Sequence, residues 1–168
     1  GFNAGCKGGS CNTFVGSCAG YCATGTCNTF IGAFSGANTT AEVTGPNNVF
    51  VGASTGVKNT SGADNVFIGR FSGCSNTQAC NNTFVGSCSG VNNQTGCHNV
   101  FVGACSGTGV GVNYNCTIAI GAGAQPTANN QLVIASPTYY IGTASAGTFS
   151  YFLNVKINGV DLKIPLYS

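Results

Sequence analysis

A short alternation of polar and apolar positions, Asn-x-Phe-(Val/Ile)-Gly, returns along the chain at residues 12–16, 28–32, 48–52, 65–69, 82–86 and 99–103. A degenerate copy, Thr-Ile-Ala-Ile-Gly, follows at 117–121, and a last echo, Gln-Leu-Val-Ile-Ala, at 131–135. Period-two alternation over so few residues predicts a short strand at each copy. Each phrase runs into a second, Gly-x-x-(Ser/Ala/Thr)-Gly, at 16–20, 32–36, 52–56, 69–73, 86–90 and 103–107. Residues 1–5, Gly-Phe-Asn-Ala-Gly, have the second phrase without the first. The anchors Gly1, Gly16, Gly32, Gly52, Gly69, Gly86, Gly103 and Gly121 are separated, by subtraction, by 15, 16, 20, 17, 17, 17 and 18 residues.

A unit this short cannot bury a core alone and must stack on its neighbours, so the pattern predicts an all-β solenoid of coils of about 17 residues. We expect seven or so coils over residues 1–136, each with a short strand, a glycine-assisted bend, a second short strand and a variable return loop. The longest return loop falls at residues 37–46, where the coil has 20 residues.

Alternation sorts the strand residues into two faces. Val15, Ile31, Val51, Ile68, Val85, Val102 and Ile120 share a face with Thr13, Thr29, Val49, Val66, Thr83, Val100 and Ile118. Phe14, Phe30, Phe50, Phe67, Phe84 and Phe101 take the other. Only one face looks into a solenoid. The opposite column then forms an apolar stripe larger than monomers usually expose, and the phenylalanine column is taken as this oligomer-forming stripe. The alternative is that the bend at Gly turns both columns inward. The Asn column, Asn12, Asn28, Asn48, Asn65, Asn82 and Asn99, is expected to form a ladder at the turn, since Asn amides bond along a stack and Asn tolerates left-handed corners.

Composition narrows the function. Of 168 residues 5% are charged, and the net charge of +2 is spread over Lys7, Lys58, Arg70, Lys156 and Lys163 without a basic stripe, which argues against nucleic acid as a partner. Three acids, Glu42, Asp64 and Asp161, are too few for a calcium repeat. No apolar run reaches the roughly 18 residues of a membrane span. The absence of Met and the start within a repeat predict a processed N-terminus or a fragment.

Eleven cysteines in a nearly uncharged chain point to an oxidising, extracellular setting. Three coils have a Cys after the anchor Gly together with one before the next Asn, which predicts bridges Cys6–Cys11, Cys22–Cys27 and Cys74–Cys80. Cys88 and Cys105 hold the same place in adjacent coils and form a fourth pair, Cys97 and Cys116 a fifth, leaving Cys18 over. A rival ladder, Cys80–Cys97, Cys11–Cys27 and Cys6–Cys22, stays open.

Asn-x-Ser/Thr acceptors stand at Asn38, Asn59, Asn93, Asn81 and Asn115. The first three are expected in one line of exposed loops and are the better glycan sites; Asn81 and Asn115 abut strands. Catalysis, cofactor and metal are not expected, because His98 is the one histidine, lies beside Cys97 and has no acid with it. An ice-binding face would need an unbroken Thr column, and Val49, Val66 and Val100 interrupt it.

The repeat stops at Pro137. Aromatic β-prone runs follow at 139–142 and 148–152, and residues 155–162 predict a hairpin turning at Asn158-Gly159, continued to an edge strand bearing Pro165. Residues 137–168 are expected either to cap the solenoid or to reach into the next subunit, as head-to-tail polymerisation would require.

Residues 117–124, Thr-Ile-Ala-Ile-Gly-Ala-Gly-Ala, with Asn130-Gln131-Leu132-Val133-Ile134, resemble the head repeats of YadA-like trimeric autotransporter adhesins. The Asn-Thr-Phe-Val-Gly-x-x-Ser-Gly coils are similar to longer relatives of those repeats in bacterial surface proteins and viral tail fibres. The resemblance covers about residues 1–136 and implies a left-handed parallel β-roll, commonly three chains side by side. The cysteines and the lack of a coiled-coil stalk or membrane anchor depart from that family.

These readings converge on a non-catalytic structural subunit of an extracellular fibre or of a cell or virion surface. The chain would be disulfide-stapled and glycosylated, with itself as partner, as a homotrimer, a head-to-tail polymer or both. The alternative is a receptor- or glycan-binding adhesin head or viral fibre shaft, with residues 37–46 in contact with the ligand.

Overall fold

The computed structural model describes residues 1–107, 109 and 113–134, and the strands Tyr151–Ile157 and Val160–Leu166. The chain divides into two compact units, Gly1–Pro137 and Thr138–Ser168. In the first, eight three-residue strands run parallel in one sheet in chain order: β1 (Thr13–Val15), β2 (Thr29–Ile31), β3 (Val49–Val51), β4 (Val66–Ile68), β5 (Thr83–Val85), β6 (Val100–Val102), β7 (Ile118–Ile120) and β8 (Leu132–Ile134). The chain therefore forms an all-β solenoid of about seven turns. Equivalent residues lie in strict register, Phe50 on Phe67 and Val51 on Ile68, for example.

The expected second strand of each coil is absent among the described residues. Away from the named strands the rungs are joined by loop-to-loop backbone hydrogen bonds, such as Gly73 N–H to Ser89 O at 2.9 Å, and by one isolated bridge, Ala23 to Val43. Coils closed by tight corners leave too little straight backbone for a second strand. Those corners are left-handed. The residue before each ladder Asn has positive φ, from Cys11 (59°) through Asp64 (57°) to His98 (61°), as does the residue two beyond each anchor Gly. The ladder asparagines themselves do not, so the corner lies one residue earlier than the sequence suggested.

The phenylalanine column is the core, not the outward stripe. Phe30, Phe50, Phe67 and Phe84 are fully buried and Phe101 nearly so. From Phe30 to Phe101 their rings stack with centroids 4.8 Å apart and planes within 8° of parallel. The second glycine of each Gly-x-x-Ser-Gly phrase makes this possible. A Cβ at Gly36 would stand 2.4 Å from the Phe30 ring, and one at Gly73 would stand 2.4 Å from that of Phe67. The ring fills the space a side chain would need, so the bulkiest column faces inward and the Val/Ile column is left outside.

In the second unit, β9 (Tyr151–Ile157) and β10 (Val160–Leu166) pair antiparallel, Val160 opposite Ile157 and Pro165 opposite Phe152. The expected turn at Asn158-Gly159 and the aromatic run at 139–142 lie outside the described residues.

Candidate functional site

The outward face of the eight-stranded sheet carries two parallel columns. One is Thr13, Thr29, Val49, Val66, Thr83, Val100, Ile118 and Leu132; the other is Val15, Ile31, Val51, Ile68, Val85, Val102, Ile120 and Ile134. No position in either is charged. Val15 is 54% exposed, Ile68 40%, Ile120 42% and Ile134 55%, although these are residue types that proteins bury. Eight strands at the usual parallel spacing of about 4.8 Å make the strip roughly 34 Å long. The face is built by the same register that builds the core.

Behind this face the Asn column is a continuous ladder. Each side-chain oxygen accepts the backbone N–H of the next ladder residue: Asn12 from Asn28 (2.7 Å), Asn28 from Asn48 (2.8 Å), Asn48 from Asn65 (3.0 Å), Asn65 from Asn82 (3.0 Å), Asn82 from Asn99 (2.9 Å) and Asn99 from Thr117 (3.0 Å). Each amide nitrogen donates to a loop carbonyl, as Asn65 does to Ala79 at 2.8 Å. Buried backbone groups that water cannot reach are satisfied in this way.

A second ladder was hidden in the sequence by its likeness to glycosylation signals. Asn38, Asn59, Asn76 and Asn93 are all buried. Asn38 donates to the carbonyls of Lys58 and Asn59 (3.3 and 3.2 Å), Asn59 to Gly62 (2.9 Å), Asn76 to Asn59 Oδ1 (2.7 Å) and Asn93 to Gly96 (2.9 Å). The expectation of exposed acceptors at Asn38, Asn59 and Asn93 is therefore overturned, since the nitrogen a glycan would occupy is inside and already engaged. The signal for this row was Asn76, which stands at the same place in its coil and lacks the Ser/Thr of an acceptor. Its Oδ1 is buried without a partner. Asn81 and Asn115 are the exposed acceptors, although Asn115 Oδ1 already takes the N–H of Cys97 at 2.7 Å.

No disulfide joins any of the eleven cysteines. None of the pairings Cys6–Cys11, Cys22–Cys27, Cys74–Cys80, Cys88–Cys105 and Cys97–Cys116 is present. Cys22 is buried while Cys27 is exposed. His98 is exposed at a left-handed corner, its N–H donating to Cys80 O at 3.1 Å. Among the described residues no cluster of three or more His, Cys, Asp or Glu could hold a metal, and no helix is long and apolar enough to cross a membrane.

The long loop is a built structure. Asn38 Oδ1 accepts the N–H groups of Thr40 and Ala41, each at 3.0 Å, Val43 is fully buried, and Glu42 pairs with Lys7 of an earlier coil at 3.1 Å. At its base lies a cavity of about 290 Å³ lined by Phe34, Asn38, Thr39, Thr40 and Lys58 among others. Phe34 is 46% exposed at a left-handed position with φ of 57°.

Compared with protein-family models, with curated proteins and with solved structures, the chain gave no match.

Proposed function

We propose that this chain is a structural, non-catalytic segment of an extracellular fibre, and that it assembles side by side with copies of itself through the outward Val/Ile face. The observation that carries the reading is that face: a wholly apolar Val/Ile column beside a mixed Thr/Val column, without a charge, backed by a core that leaves it no freedom to fold away. Monomers rarely expose an apolar patch of this kind. The occupant is a second copy because its side chains recur at the same rung spacing, so columns of one copy interdigitate with those of another along the whole strip. The resemblance to trimeric surface-adhesin repeats supports three-fold assembly, and the uncharged, cysteine-rich composition supports an extracellular or virion-surface setting. Head-to-tail assembly through residues 137–168 belongs to the same reading.

Sedimentation of the wild type and of Val51→Lys/Val85→Lys tests it. Both positions are outward and half-buried, so the coil survives while two lysines enter the strip. The wild type is expected to sediment as an oligomer and the variant as a monomer with unchanged circular dichroism. A wild type that remains monomeric at high micromolar concentration overturns the proposal.

A second reading, a glycan- or receptor-binding head, is favoured by the cavity under residues 37–46. It is lined by an aromatic residue, hydroxyl-bearing Thr39, Thr40 and Ser54, and the cationic Lys58, residue types suited to an acidic sugar. Glycan-array binding that disappears in Phe34→Ala but survives Val51→Lys/Val85→Lys would separate this function from assembly.

A further inference from the structure

The register places six of the cysteines in vertical pairs. Cys27 lies over Cys11, its N–H donating to Ser10 O at 3.0 Å, as the pairing of Thr29 with Thr13 two residues later requires. Cys105 lies over Cys88, its N–H donating to Ser87 O at 2.8 Å. Cys97 lies over Cys80, and its Sγ accepts the N–H of Cys80 at 3.1 Å. Rungs about 4.8 Å apart put such Cα pairs within the range a disulfide spans.

Conformation gives no other reason for two of these pairs. Cys11, Cys27, Cys88 and Cys105 all have positive φ, between 54° and 59°. In the corner row of Cys11 and Cys27 the other occupants include Asn47, Asp64, Asn81, His98 and Asn130, types that accept the left-handed region more readily than Cys does. Cysteine is an unfavoured choice at such a corner; it stands at six positive-φ places in this row and that of Cys88 and Cys105, four of them stacked neighbours, while Cys18 and Cys116 have no cysteine above or below. The third pair sits in a row where each side chain accepts an N–H from the rung before: Cys80 Sγ from Ala63 (3.4 Å), Cys97 Sγ from Cys80 and Asn115 Oδ1 from Cys97. That arrangement holds Cys97 Sγ against the backbone nitrogen of the residue that carries the other thiol.

We propose that oxidation links the rungs vertically, as Cys11–Cys27, Cys80–Cys97 and Cys88–Cys105, rather than closing loops within coils. Cys80 and Cys97 precede β5 and β6, and Cys88 and Cys105 follow them, so two bridges bracket one strand pair from both ends. Cys116 lies over His98 instead, its N–H donating to Cys97 O at 3.0 Å, and is not a partner for Cys97. Each bridge forms by exchange with a small disulfide such as oxidised glutathione. Two S–H bonds break and one S–S bond forms, and the two electrons and two protons reduce the oxidant to two thiols.

The test is exchange of the purified, reduced protein with oxidised glutathione, alkylation of remaining thiols, and non-reducing peptide mapping. Chymotryptic cleavage after Phe84 and Phe101 divides the bracketed region into three peptides, expected to stay linked until reduced. Cys105→Ser should release the last of them alone, Cys97→Ser the first alone, and Cys27→Ser should leave Cys11 alkylated. The oxidised protein should also melt at a higher temperature than the same sample with dithiothreitol. Complete alkylation of the folded protein after exhaustive exchange, or main products joining Cys6 to Cys11, Cys22 to Cys27 or Cys74 to Cys80, overturns the proposal.

Discussion

The ring of Phe50 lies parallel to that of Phe67, 2° between their planes and 4.8 Å between their centroids, and Gly56 and Gly73 each abut one of these rings. A Cβ on Gly56 would fall 2.5 Å from the Phe50 ring, closer than real Cβ atoms come to anything. The glycine and the phenylalanine are therefore one device written at two places in each unit.

Gly73→Ala is expected to be severely destabilising. Its φ of 55° is strained for an L side chain, costing about 1–2 kcal/mol, and the clash with the Phe67 ring adds about 1–3 kcal/mol of overpacking. Urea denaturation of the variant against wild type measures the sum. A loss under 1 kcal/mol would show that the ring is not held where it stands.

Phe67→Ala should cost about 3–5 kcal/mol, because the ring is fully buried between two neighbours that cannot collapse without losing their own register. Val66→Ala, on the outward face one residue earlier, should cost well under half as much in the isolated chain. Equal losses would mean that the two faces have been assigned the wrong way round.

Asn65→Leu is close to the native volume yet removes the acceptor for Asn82 N–H and the donor to Ala79 O. Two buried groups left unsatisfied cost about 1–3 kcal/mol each. Hydrogen exchange reads the effect directly: the amide of Asn82 should lose protection before that of Thr29, which lies far along the stack.

Folded protein secreted from a glycosylating host should carry no glycan at Asn38, Asn59 or Asn93, whose amides are buried. Any modification is expected only at Asn81 and Asn115, which are exposed. Site mapping by mass spectrometry after enzymatic deglycosylation decides this, and a glycan on Asn59 in folded material would contradict the second ladder.

The Lys7–Glu42 pair is about half-exposed on both sides, and hydrogen bonding and charge from Glu42 raise the Lys7 pKa above its ordinary 10.5. A raised folded-state value means that the contribution is present below the unfolded pKa and lost as pH rises through the folded one, above pH 10.5. Exposed pairs of this kind add little. Glu42→Gln should leave the melting temperature at neutral pH nearly unchanged, and any stabilising difference should vanish in strongly alkaline buffer.

The sequence made the period, the first strand of each coil and the existence of the Asn12–Asn99 row legible, because these repeat at identical positions and need only local chemistry. Which face is inside was not legible from alternation, since Phe67 and Ile68 are both apolar. The deciding signal was the glycine four residues beyond each anchor, whose missing side chain makes room for a ring. Asn59 and Asn93 were misread for a related reason: the Ser and Thr that follow them complete a modification motif, and burial in a short loop is a tertiary fact. For the cysteines the sequence offered Cys88–Cys105 and left Cys11–Cys27 and Cys80–Cys97 open beside loop-closing pairs, because coil period alone does not rank contacts between rungs against contacts within one.

Between Asn65, Asn82 and Asn99 the interval is 17 residues, and each meets the next through the same bond. Excising one such unit leaves a junction chemically like the one it replaced. Gene segments encoding this architecture are thus free to lengthen or shorten by whole copies, and the reach of the molecule becomes a quantity that duplication can tune without inventing a new contact.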